Sequence, residues 1–464
     1  MAHGKLSRRR MMGMGLNAAA TAGLVSLAGS VNQAQDPESL LKDRESFRNE
    51  EGFATSFHAA YSFLDTMMDA YAQGATVRLA QSYTDQQGLL TTGFIYDNAL
   101  VILAYLLRGR GDDLARARTL GDGLLYAQQH DANFNDGRLR QGYFVDAPDA
   151  NGVYLRPALD PFFFIGSAVG DLSWAGMALA QLYGRTRDYR YLDGAVRLGN
   201  WIFNVTFDSR GPGGYNFGVD GGNSPLIFKS TEHNIDVHAL FKMLAVLTRD
   251  QLWLGRAQHA RDFVSAMWNS EGQFFWTGTG TDGVTINQEN IPADTQTWSF
   301  MSLPDDRFAD SIDWAQTNLS TIDTPQTINS RLTGRARVEG SSYASISLRA
   351  LAPSSQFDQP PDPNAVWLEG SAHLAAALLD RGRRHEDRLN ALMLLDNIRS
   401  AQERLGAGQT VGGKPLPDGQ GVIASSSVLN TGFGFSFYPN LHLAATSWYL
   451  IAGQSGNPFR LFKK

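Results

Sequence analysis

Residues 231–244 read TEHNIDVHALFKML, in which a polar opening is followed by a mostly apolar run. Glu232, His233, Asn234 and Asp236 fall in the first two turns of the predicted helix. A helix that is apolar on nearly every side must be surrounded by protein, because none of its faces can be left in water. The stretch therefore predicts a buried helix whose polar side chains are confined to its N-terminal end.

Five other segments repeat this layout of a polar opening and an apolar run. They are YDNALVILAYLL (96–107), GDLSWAGMALAQLY (170–183), ADTQTWSFMSL (293–303), WLEGSAHLAAALL (367–379) and PNLHLAATSWYLI (439–451). Amphipathic segments alternate with the apolar ones, at 53–72, 113–129, 188–203, 251–268, 307–319 and 385–402. This alternation predicts an inner ring of apolar helices enclosed by an outer ring of amphipathic helices. The first amphipathic helix closes the ring by pairing with the last apolar one.

Three links rich in glycine and aromatic residues, at 135–144, 209–218 and 270–280, predict short hairpins or turns. Each link runs directly into an apolar helix, so we expect the links at the end of the ring where those helices begin. The stretch 320–365 is the least regular and predicts a long rim loop. No domain boundary is visible, and we predict one domain over residues 36–464.

These six helical hairpins, with acids at the starts of the inner helices, resemble the six-hairpin or (α/α)6-barrel glycosidase superfamily over roughly residues 52–452. The resemblance implies an all-α (α/α)6 toroid with short β-hairpins or loops at the rim of a sugar-sized pit. It implies a glycoside hydrolase that acts on a poly- or oligosaccharide, more commonly with inversion of configuration. The superfamily also contains sugar epimerases and polysaccharide lyases.

Acids open five of the six apolar helices: Asp97, Asp171, Glu232, Asp294 and Glu369. Helix capping explains any single one of them, since acids are favoured at helix N-termini. In a toroid, however, all five starts converge on one opening, where carboxyls raise one another's pKa values. Glycoside hydrolysis needs two carboxyls, one to protonate the leaving oxygen and one to activate water or attack. We assign catalysis first to Glu232, then to Glu369, then to Asp97.

Other polar and aromatic residues near these helix starts are predicted to bind substrate. Asp236 lies one turn after Glu232, and His373 lies one turn after Glu369. Aromatic rings within a turn of an acid can stack on the apolar faces of sugars, although core packing explains each tryptophan equally well. The complete predicted binding set is Tyr96, Asp171, Trp174, His233, Asp236, Asp294, Trp298, Trp367 and His373.

Composition excludes several classes of protein. The 464 residues carry a net charge of −6, which argues against a nucleic-acid binder. Cysteine is absent, which removes disulfides, thiolate metal sites and cysteine nucleophiles. No phosphate-binding loop or dinucleotide fingerprint occurs, and we predict no cofactor. A metal site through His233, Asp236 and His238 is disfavoured because these residues do not share one helix face.

The N-terminal segment has the layout of a signal peptide over residues 1–34, with a basic start, a modestly apolar stretch and small residues at its end. The run SRRRMM at 7–12 resembles the twin-arginine motif, and a cytosolic basic tail is the plainer alternative. We expect export through the twin-arginine machinery to the periplasm or the medium. No later apolar run approaches the length needed to span a bilayer, so we expect no membrane anchor.

Other functions remain open from the sequence. A polysaccharide lyase acting on a uronate-containing glycan would need cations, which Arg138 and Arg140 beside Tyr143 could supply, with His233 as a further polar group. A non-catalytic glycan-binding protein would need the aromatic residues without the acids. A sugar epimerase would need paired histidines facing a free sugar end. Calcium could bind VDAPDANG (145–152), although a plain turn explains that stretch.

Overall fold

Twelve α-helices in two concentric rings form the framework of the described chain. The structure is a computed structural model and describes residues 51–71, 77–157, 165–355 and 358–462. The predicted signal peptide, residues 1–34, lies outside the described residues. Within those described, no helix is both long and apolar enough to cross a bilayer.

The inner ring consists of six helices, each packed against the next, and the last packs against the first. The helices are α2 (Ile95–Arg108), α4 (Val169–Thr186), α6 (Thr231–Thr248), α8 (Ala293–Ser302), α10 (Leu368–Arg381) and α12 (Leu443–Gly453). Almost every residue of these helices is buried, except at their C-terminal ends. The mostly apolar runs therefore form the wall of the barrel, as their composition predicts.

The outer ring consists of six helices that each pack mainly against one inner helix. They are α1 (Glu51–Asp69), α3 (Asp113–Gln129), α5 (Tyr189–Thr206), α7 (Leu252–Ala266), α9 (Asp310–Asn318) and α11 (His385–Arg404). Helix α1 packs against α12, so the first helix of the described chain closes the ring. The predicted all-α (α/α)6 toroid is confirmed.

Short antiparallel strands join the helices. They are β1 (Thr92–Phe94), β2 (Gly142–Phe144), β3 (Arg156–Pro157), β4 (Ser167–Ala168), β5 (Gly218–Val219), β6 (Pro225–Leu226), β7 (Trp268–Asn269), β8 (Phe274–Phe275), β9 (Gly278–Thr279), β10 (Ile286–Asn287), β11 (Ser320–Asp323), β12 (Val338–Ser341), β13 (Thr410–Val411), β14 (Lys414–Pro415), β15 (Leu429–Asn430) and β16 (Ser436–Phe437). They pair as β1-β2-β3, β4-β5-β6, β7-β8, β9-β10, β11-β12, β13-β14 and β15-β16. Strands β1 and β4 run directly into α2 and α4, which places these sheets at the end where the inner helices begin.

Two predicted segments differ from the structure in detail. Helix α12 begins at Leu443 rather than near residue 440, because Leu441 and His442 are extended and form β-bridges with Ile423 and Tyr83. The irregular stretch 320–365 contains the hairpin β11-β12 and a short 3-10 helix at Ser347–Arg349. Side-chain periodicity does not reveal such bridges, since their partners are distant in the sequence.

Five of the six inner helices carry a polar side chain at their fourth residue that ties the helix to the rim. Each of these anchor residues donates to the carbonyl four residues earlier and accepts from a backbone N–H of a distant rim segment. The anchor residues are Asn98, Asn234, Gln296, Ser371 and Thr446. Their oxygens pair rim N–H groups that the short strands leave without a backbone partner.

The three amide anchors also return a hydrogen bond to the rim residue they hold. Asn234 accepts from the Tyr215 N–H at 2.8 Å and donates to the Tyr215 carbonyl at 3.0 Å. Asn98 does the same with Ala80, and Gln296 does the same with Phe275. Each amide thus replaces a missing strand partner. Helix α4 is the exception, because Leu172 stands at this position.

The barrel is closed at the bottom by a cluster of aromatic rings. Trp174, Trp298 and Trp448 pack with ring centroids between 5.2 and 5.8 Å apart, and two of these pairs meet edge to face. Phe459, from the segment after α12, packs beneath them at 5.2 Å from Trp174 and 5.6 Å from Trp298. These buried rings fill the axis of the toroid, so its centre is a closed pit and not a channel.

Replacing Asn234 by alanine tests the anchors. The Asn234→Ala variant leaves the N–H and carbonyl of the fully buried Tyr215 without partners, so we expect the free energy of unfolding to fall by about 2–4 kcal/mol. The Ser173→Ala variant is the control, because the Ser173 hydroxyl is buried and has no hydrogen-bond partner. Its free energy of unfolding should change by less than about 0.5 kcal/mol. Urea unfolding measures both, and equal losses would contradict the anchoring role.

Candidate active site

Six carboxyl groups lie at the mouth of the barrel. Asp97 and Asp171 are the third residues of their helices, and Glu232, Asp294 and Glu369 are the second residues of theirs. The sixth, Asp236, lies one turn farther into α6. The groups interact electrostatically: Asp294, Asp236, Asp171 and Glu369 all raise the pKa of Glu232, and Asp97 raises that of Asp171. The acids predicted to meet at one opening therefore do meet.

Glu369 is held by donors from other parts of the ring. The Tyr96 hydroxyl donates to Oε1 at 2.5 Å, and the Trp448 indole N–H donates to that hydroxyl at 2.9 Å. His373 Nε2 lies 3.5 Å from the same carboxylate oxygen. Burial raises the pKa of Glu369, but donation from His373, the charges of His373 and His442 and the Tyr96 hydroxyl outweigh it. The net shift is downward, which keeps Glu369 ionised.

His442 connects Glu369 to Asp97. Its Nε2 lies 3.3 Å from Oδ1 of Asp97, and its Nδ1 lies 3.7 Å from Oε2 of Glu369. The Tyr83 ring stacks on the imidazole at a centroid distance of 3.9 Å and an interplanar angle of 6°. Asp97, His442 and Glu369 are all almost fully buried. His442 therefore lies between the two carboxyls, with one ring nitrogen near each of them.

The pKa of Glu232 is shifted in the opposite direction from that of Glu369. Burial, followed by the charges of Asp294 and Asp236, raises its pKa well above the ordinary value for glutamate. No arginine or lysine ion pair among the described residues involves any of the six acids. Its side chain is nevertheless partly exposed, unlike that of Glu369. Glu232 is therefore a protonated carboxyl that can reach a ligand from the wall of the pit.

The remaining three acids also have raised pKa values. Burial and the charge of Asp97 raise the pKa of Asp171 to about 7. Burial, with a smaller contribution from Glu369, raises that of Asp294 to about 7. Burial, Asp294 and Asp171 raise that of Asp236 well above its ordinary value, and neither of its oxygens has a hydrogen-bond partner. A buried carboxyl without a partner is costly and is available to a ligand.

The predicted aromatic residues divide between the floor and the wall. Trp174 and Trp298 belong to the packed floor, and their indole N–H groups have no partner in the protein. Trp367 is buried beside Tyr343 and also leaves its N–H unpaired. Tyr96 is partly exposed and contacts Trp174 edge to face at 5.3 Å. The three tryptophans are core residues whose indole N–H groups lack a protein partner, and contact of any of these rings with a sugar stays a prediction.

The polar opening of α6 turns out to serve two purposes. Thr231 donates to the Trp276 carbonyl at 2.7 Å and Asn234 anchors the rim, so both are structural. His233 packs on Phe217 at 4.4 Å, and burial lowers its pKa to about 3. Only Glu232 and Asp236 belong to the group of six acids. The role of His233 as a substrate contact stays a prediction.

Three residues of the site escaped the sequence analysis. His442 lies in the sixth apolar segment, whose opening lacks an acid, and its titratable ring was the available signal. Tyr343 follows β12, and its pKa is raised by burial and by the charges of Asp294 and Glu232. Tyr83 precedes the first 3-10 helix, Asp85–Gln87. Both tyrosines lie in irregular segments, where no periodicity marks a residue that faces a pit.

The two arginines that could supply the cations of a lyase already form ion pairs within the protein. Arg138 pairs with Asp136 at 2.6 Å, and Arg140 pairs with Asp131 at 2.5 Å. Tyr143 is buried, and its hydroxyl accepts from the Arg140 N–H at 3.0 Å. These groups hold the link before α4 in place. This arrangement does not favour recognition of a uronate.

Candidate metal ligands do not come together in the described residues. No group of three or more His, Asp and Glu side chains there has a geometry that could hold a metal ion. His238 lies 3.1 Å from the Ser302 hydroxyl through Nδ1. In the stretch 145–152, Asp149 accepts from the N–H groups of Asn151 and Val153, which is the pattern of a plain turn.

A cavity of about 380 Å³ lies at the opposite end of the barrel, where α4 and α6 end. Its lining includes Tyr183, Arg185, Arg249 and Phe462 and contains no carboxyl group. Arginines are favoured at helix C-termini by the helix dipole, which explains their presence there. The carboxyl chemistry described above is therefore confined to the N-terminal end.

Solved structures share this architecture over nearly their whole length. A glycosidase in complex with glucose gives a TM-score of 0.54 at 13% identity, covering 91% of this chain and 98% of its own. Cellobiose 2-epimerase from Bacillus thermoamylovorans gives 0.55 at 12%, covering 89% and 99%. A family 76 α-mannanase from Bacteroides thetaiotaomicron gives 0.53 at 11%, covering 89% and 98%. No protein-family model matches the sequence, and no curated protein is similar to it in sequence.

At identities of 11–13%, this likeness shows the fold. The predicted resemblance to the six-hairpin (α/α)6 architecture is thereby confirmed. The residues of the pit have to be argued from their own geometry, because a shared fold does not transfer a site.

Replacing Asp294 by asparagine tests the charge state of the pit. The folded-state pKa of about 7 exceeds the unfolded value of 3.8, so the folded protein binds more protons between about pH 4 and 7. Its free energy of unfolding therefore declines as pH rises through that window. The Asp294→Asn variant cannot ionise, and we expect it to be more stable than the wild type by roughly 1–3 kcal/mol at about pH 8.

Melting temperatures of the wild type and the variant at about pH 4 and about pH 8 measure this effect. We expect only a small difference between the two proteins at the lower pH. The Asp112→Asn variant is the control, because Asp112 is exposed and far from the pit. A destabilised Asp294→Asn protein at the higher pH would show that Asp294 is an ionised structural group.

Proposed function

We propose that this chain is an exported glycoside hydrolase that acts on a poly- or oligosaccharide by carboxylate general acid/base catalysis. The observation that supports this most is a pair of carboxyls in one pit whose pKa values are shifted in opposite directions. Glu369 has a lowered pKa, and Glu232 has a raised one. Two titratable groups pushed apart by their surroundings are what an acid and a base in one site require. The fold likeness to glycosidases agrees with this chemistry.

Glu232 takes the role of general acid. Its raised pKa keeps the proton at neutral pH, and its partly exposed side chain can reach the glycosidic oxygen. Protonation of that oxygen makes the leaving sugar a neutral alcohol, which lowers the barrier to cleavage of the bond. Burial and the nearby carboxyls of Asp294 and Asp236 make loss of the Glu232 proton unfavourable.

Glu369 takes the role of general base. It is ionised, and the Tyr96 hydroxyl and His373 fix its orientation from one side. A water molecule beside the free part of this carboxylate would lose its proton to Glu369 as it attacks the anomeric carbon. His442 lies between Glu369 and Asp97, so Asp97 is placed to hold this histidine beside the base. Asp97 acts in this proposal through His442.

The other predicted residues would position the sugar. Asp171, Asp236 and Asp294 can accept from or donate to sugar hydroxyls, since each can hold a proton near neutral pH. The unpaired indole N–H groups of Trp174, Trp298 and Trp367 can donate to hydroxyl oxygens. Neither a cofactor nor a metal has a role in this proposal.

Sugar epimerisation is the second candidate, and one observation favours it. Two histidines, His373 and His442, flank the same carboxylate, and paired histidines can move a proton on and off a sugar carbon. However, His373 is fully buried beneath the ring of Trp298, whereas Glu232 reaches the pit. Hydrolysis is therefore the better-supported reaction.

A glycan panel tests the proposal. We expect the purified mature protein to release new reducing ends from at least one neutral glycan, without the ultraviolet absorbance of an unsaturated lyase product. The Glu232→Gln and Glu369→Gln variants should fold normally and lose about 10²–10⁴-fold in kcat/KM, because each lacks one proton-transfer group. Circular dichroism and melting temperature provide the check on folding.

The Glu386→Gln variant is the matched control and should retain full activity, since Glu386 is exposed at the start of the outer helix α11. Near-full activity in both pit variants would refute the assignment. An unsaturated product would indicate a lyase, an isomerised sugar with solvent deuterium at carbon would indicate an epimerase, and binding without any conversion would indicate a glycan-binding protein.

We further propose that the reaction inverts the anomeric configuration, in keeping with a carboxylate base that activates water instead of attacking the sugar. Proton nuclear magnetic resonance of the first product shows its anomer before mutarotation. We expect the anomer opposite to that of the substrate bond. The same anomer as in the substrate would assign Glu369 as a nucleophile.

A further inference from the structure

Aromatic residues form a continuous strip from the pit to the outer surface of the rim. The strip consists of Trp367, Tyr343, Phe437, Phe435 and Phe433. Its inner members are buried or partly buried, whereas Phe433 and Phe435 are 42% and 47% exposed. Two large exposed apolar rings that both pack on Tyr343 indicate a binding surface better than scattered exposed residues do.

The turn that carries Phe433 and Phe435 is held by bonds that do not involve their rings. Thr431 donates to the Phe435 carbonyl through both its backbone N–H, at 3.1 Å, and its hydroxyl, at 2.7 Å. Asn290, from the opposite side of the rim, donates to the Thr431 carbonyl at 3.0 Å. Gly432 has φ of 77° and Gly434 has φ of 88°, a conformation that glycine adopts without strain. The rings are therefore presented by a preorganised turn.

Tyr343 joins the outer rings to the acids. Its ring centroid lies 6.1 Å from that of Phe433, 6.2 Å from that of Phe435 and 5.8 Å from that of Phe437. The same tyrosine lies in the electrostatic field of Asp294, Glu232 and Glu369. Only the Tyr343 side chain therefore lies between a ligand on the exposed rings and the carboxyl groups.

The strip also reaches the side of the pit that carries Glu369, the proposed general base. Phe437 stacks on Trp367 at 5.8 Å with an interplanar angle of 21°, and Trp367 is the residue before the helix that carries Glu369. The Phe437 ring lies 6.5 Å from the imidazole of His442. The strip is therefore continuous with the candidate site on two paths, through Tyr343 and through Trp367.

We propose that this strip is an extended sugar-binding subsite, and that the substrate is a glycan chain whose outer units stack on Phe435 and Phe433 while an inner unit occupies the pit. Flat aromatic rings bind the apolar faces of sugar rings without reading their hydroxyls in detail. A substrate no larger than the pit would leave the exposed rings without a use. The part of this inference that concerns the inner unit rests on the proposed hydrolase function.

Charge around the strip favours a neutral chain over a charged one. The rings themselves carry no charge, and Asp358, an acid of the rim segment that contacts β16, already accepts from Ser354, Ser436 and Tyr438. That network also fixes the position of β16, next to Phe437. The recognition available at the rim is therefore stacking and not ion pairing.

The Phe433→Ala/Phe435→Ala double variant tests the subsite. On a polymeric substrate from the panel, we expect kcat/KM to fall by about 10-fold or more, mainly through a higher KM, because the lost contacts bind the chain before and during reaction. On the shortest substrate that the enzyme cleaves, we expect less than about a twofold change. The ratio of the two values is the diagnostic quantity.

The Tyr189→Ala variant is the matched control, since Tyr189 is an aromatic residue that is 71% exposed on the outer helix α5. It should leave both rates unchanged. Equal losses of the double variant on polymer and short substrate, or no loss on the polymer, would overturn the inference. A change limited to self-association in sedimentation velocity would also overturn it, and would assign the strip to a contact between copies.

Binding measurements separate this inference from the proposed function. Affinity electrophoresis through gels that contain each polysaccharide needs no turnover, and the Glu369→Gln variant prevents cleavage during the run. We expect retention by at least one gel, and weaker retention when the two phenylalanines are also replaced. Retention without cleavage by the wild type would refute the hydrolase while supporting the subsite, and retention that does not depend on the phenylalanines would refute the subsite alone.

Discussion

Five buried anchor side chains determine how the rim sits on the barrel. Each accepts from a rim N–H that lacks a strand partner and donates to a carbonyl at the helix start, so the connection between them needs no water. Because the anchors lie at the fourth residue, the second and third residues of the same helices are free to face the axis. The positions of Asp97, Glu232 and Glu369 at the mouth follow from this spacing.

The crowding of acids in a pit closed from below generates the chemistry. The tryptophan floor and Phe459 keep water out from underneath, so charges at the mouth interact strongly. Most of the carboxyls respond by keeping their protons near neutral pH. Glu369 is the exception, because a tyrosine hydroxyl and two histidines surround it. One pit thus contains both a proton donor and a proton acceptor.

The sequence predicted most of the fold and part of the candidate site. The amphipathic segment 113–129 coincides with α3, and all six inner helices lie within a few residues of the apolar segments. The start of α12 was missed because β-bridges to Tyr83 and Ile423 keep the preceding residues extended. His442 and Tyr343 were missed for a related reason: their importance comes from groups that are far away in the sequence.

The sequence by itself determined the ring and the identity of the acids that meet in it, because burial periodicity is local and an apolar helix can be polar only at its ends. Tertiary structure alone decided which acid keeps its proton. Glu232 and Glu369 are both the second residue of an inner helix, and no local pattern distinguishes them. Their pKa values differ because one faces other carboxylates and the other faces Tyr96, His373 and His442, and such distances exist only after the chain has folded.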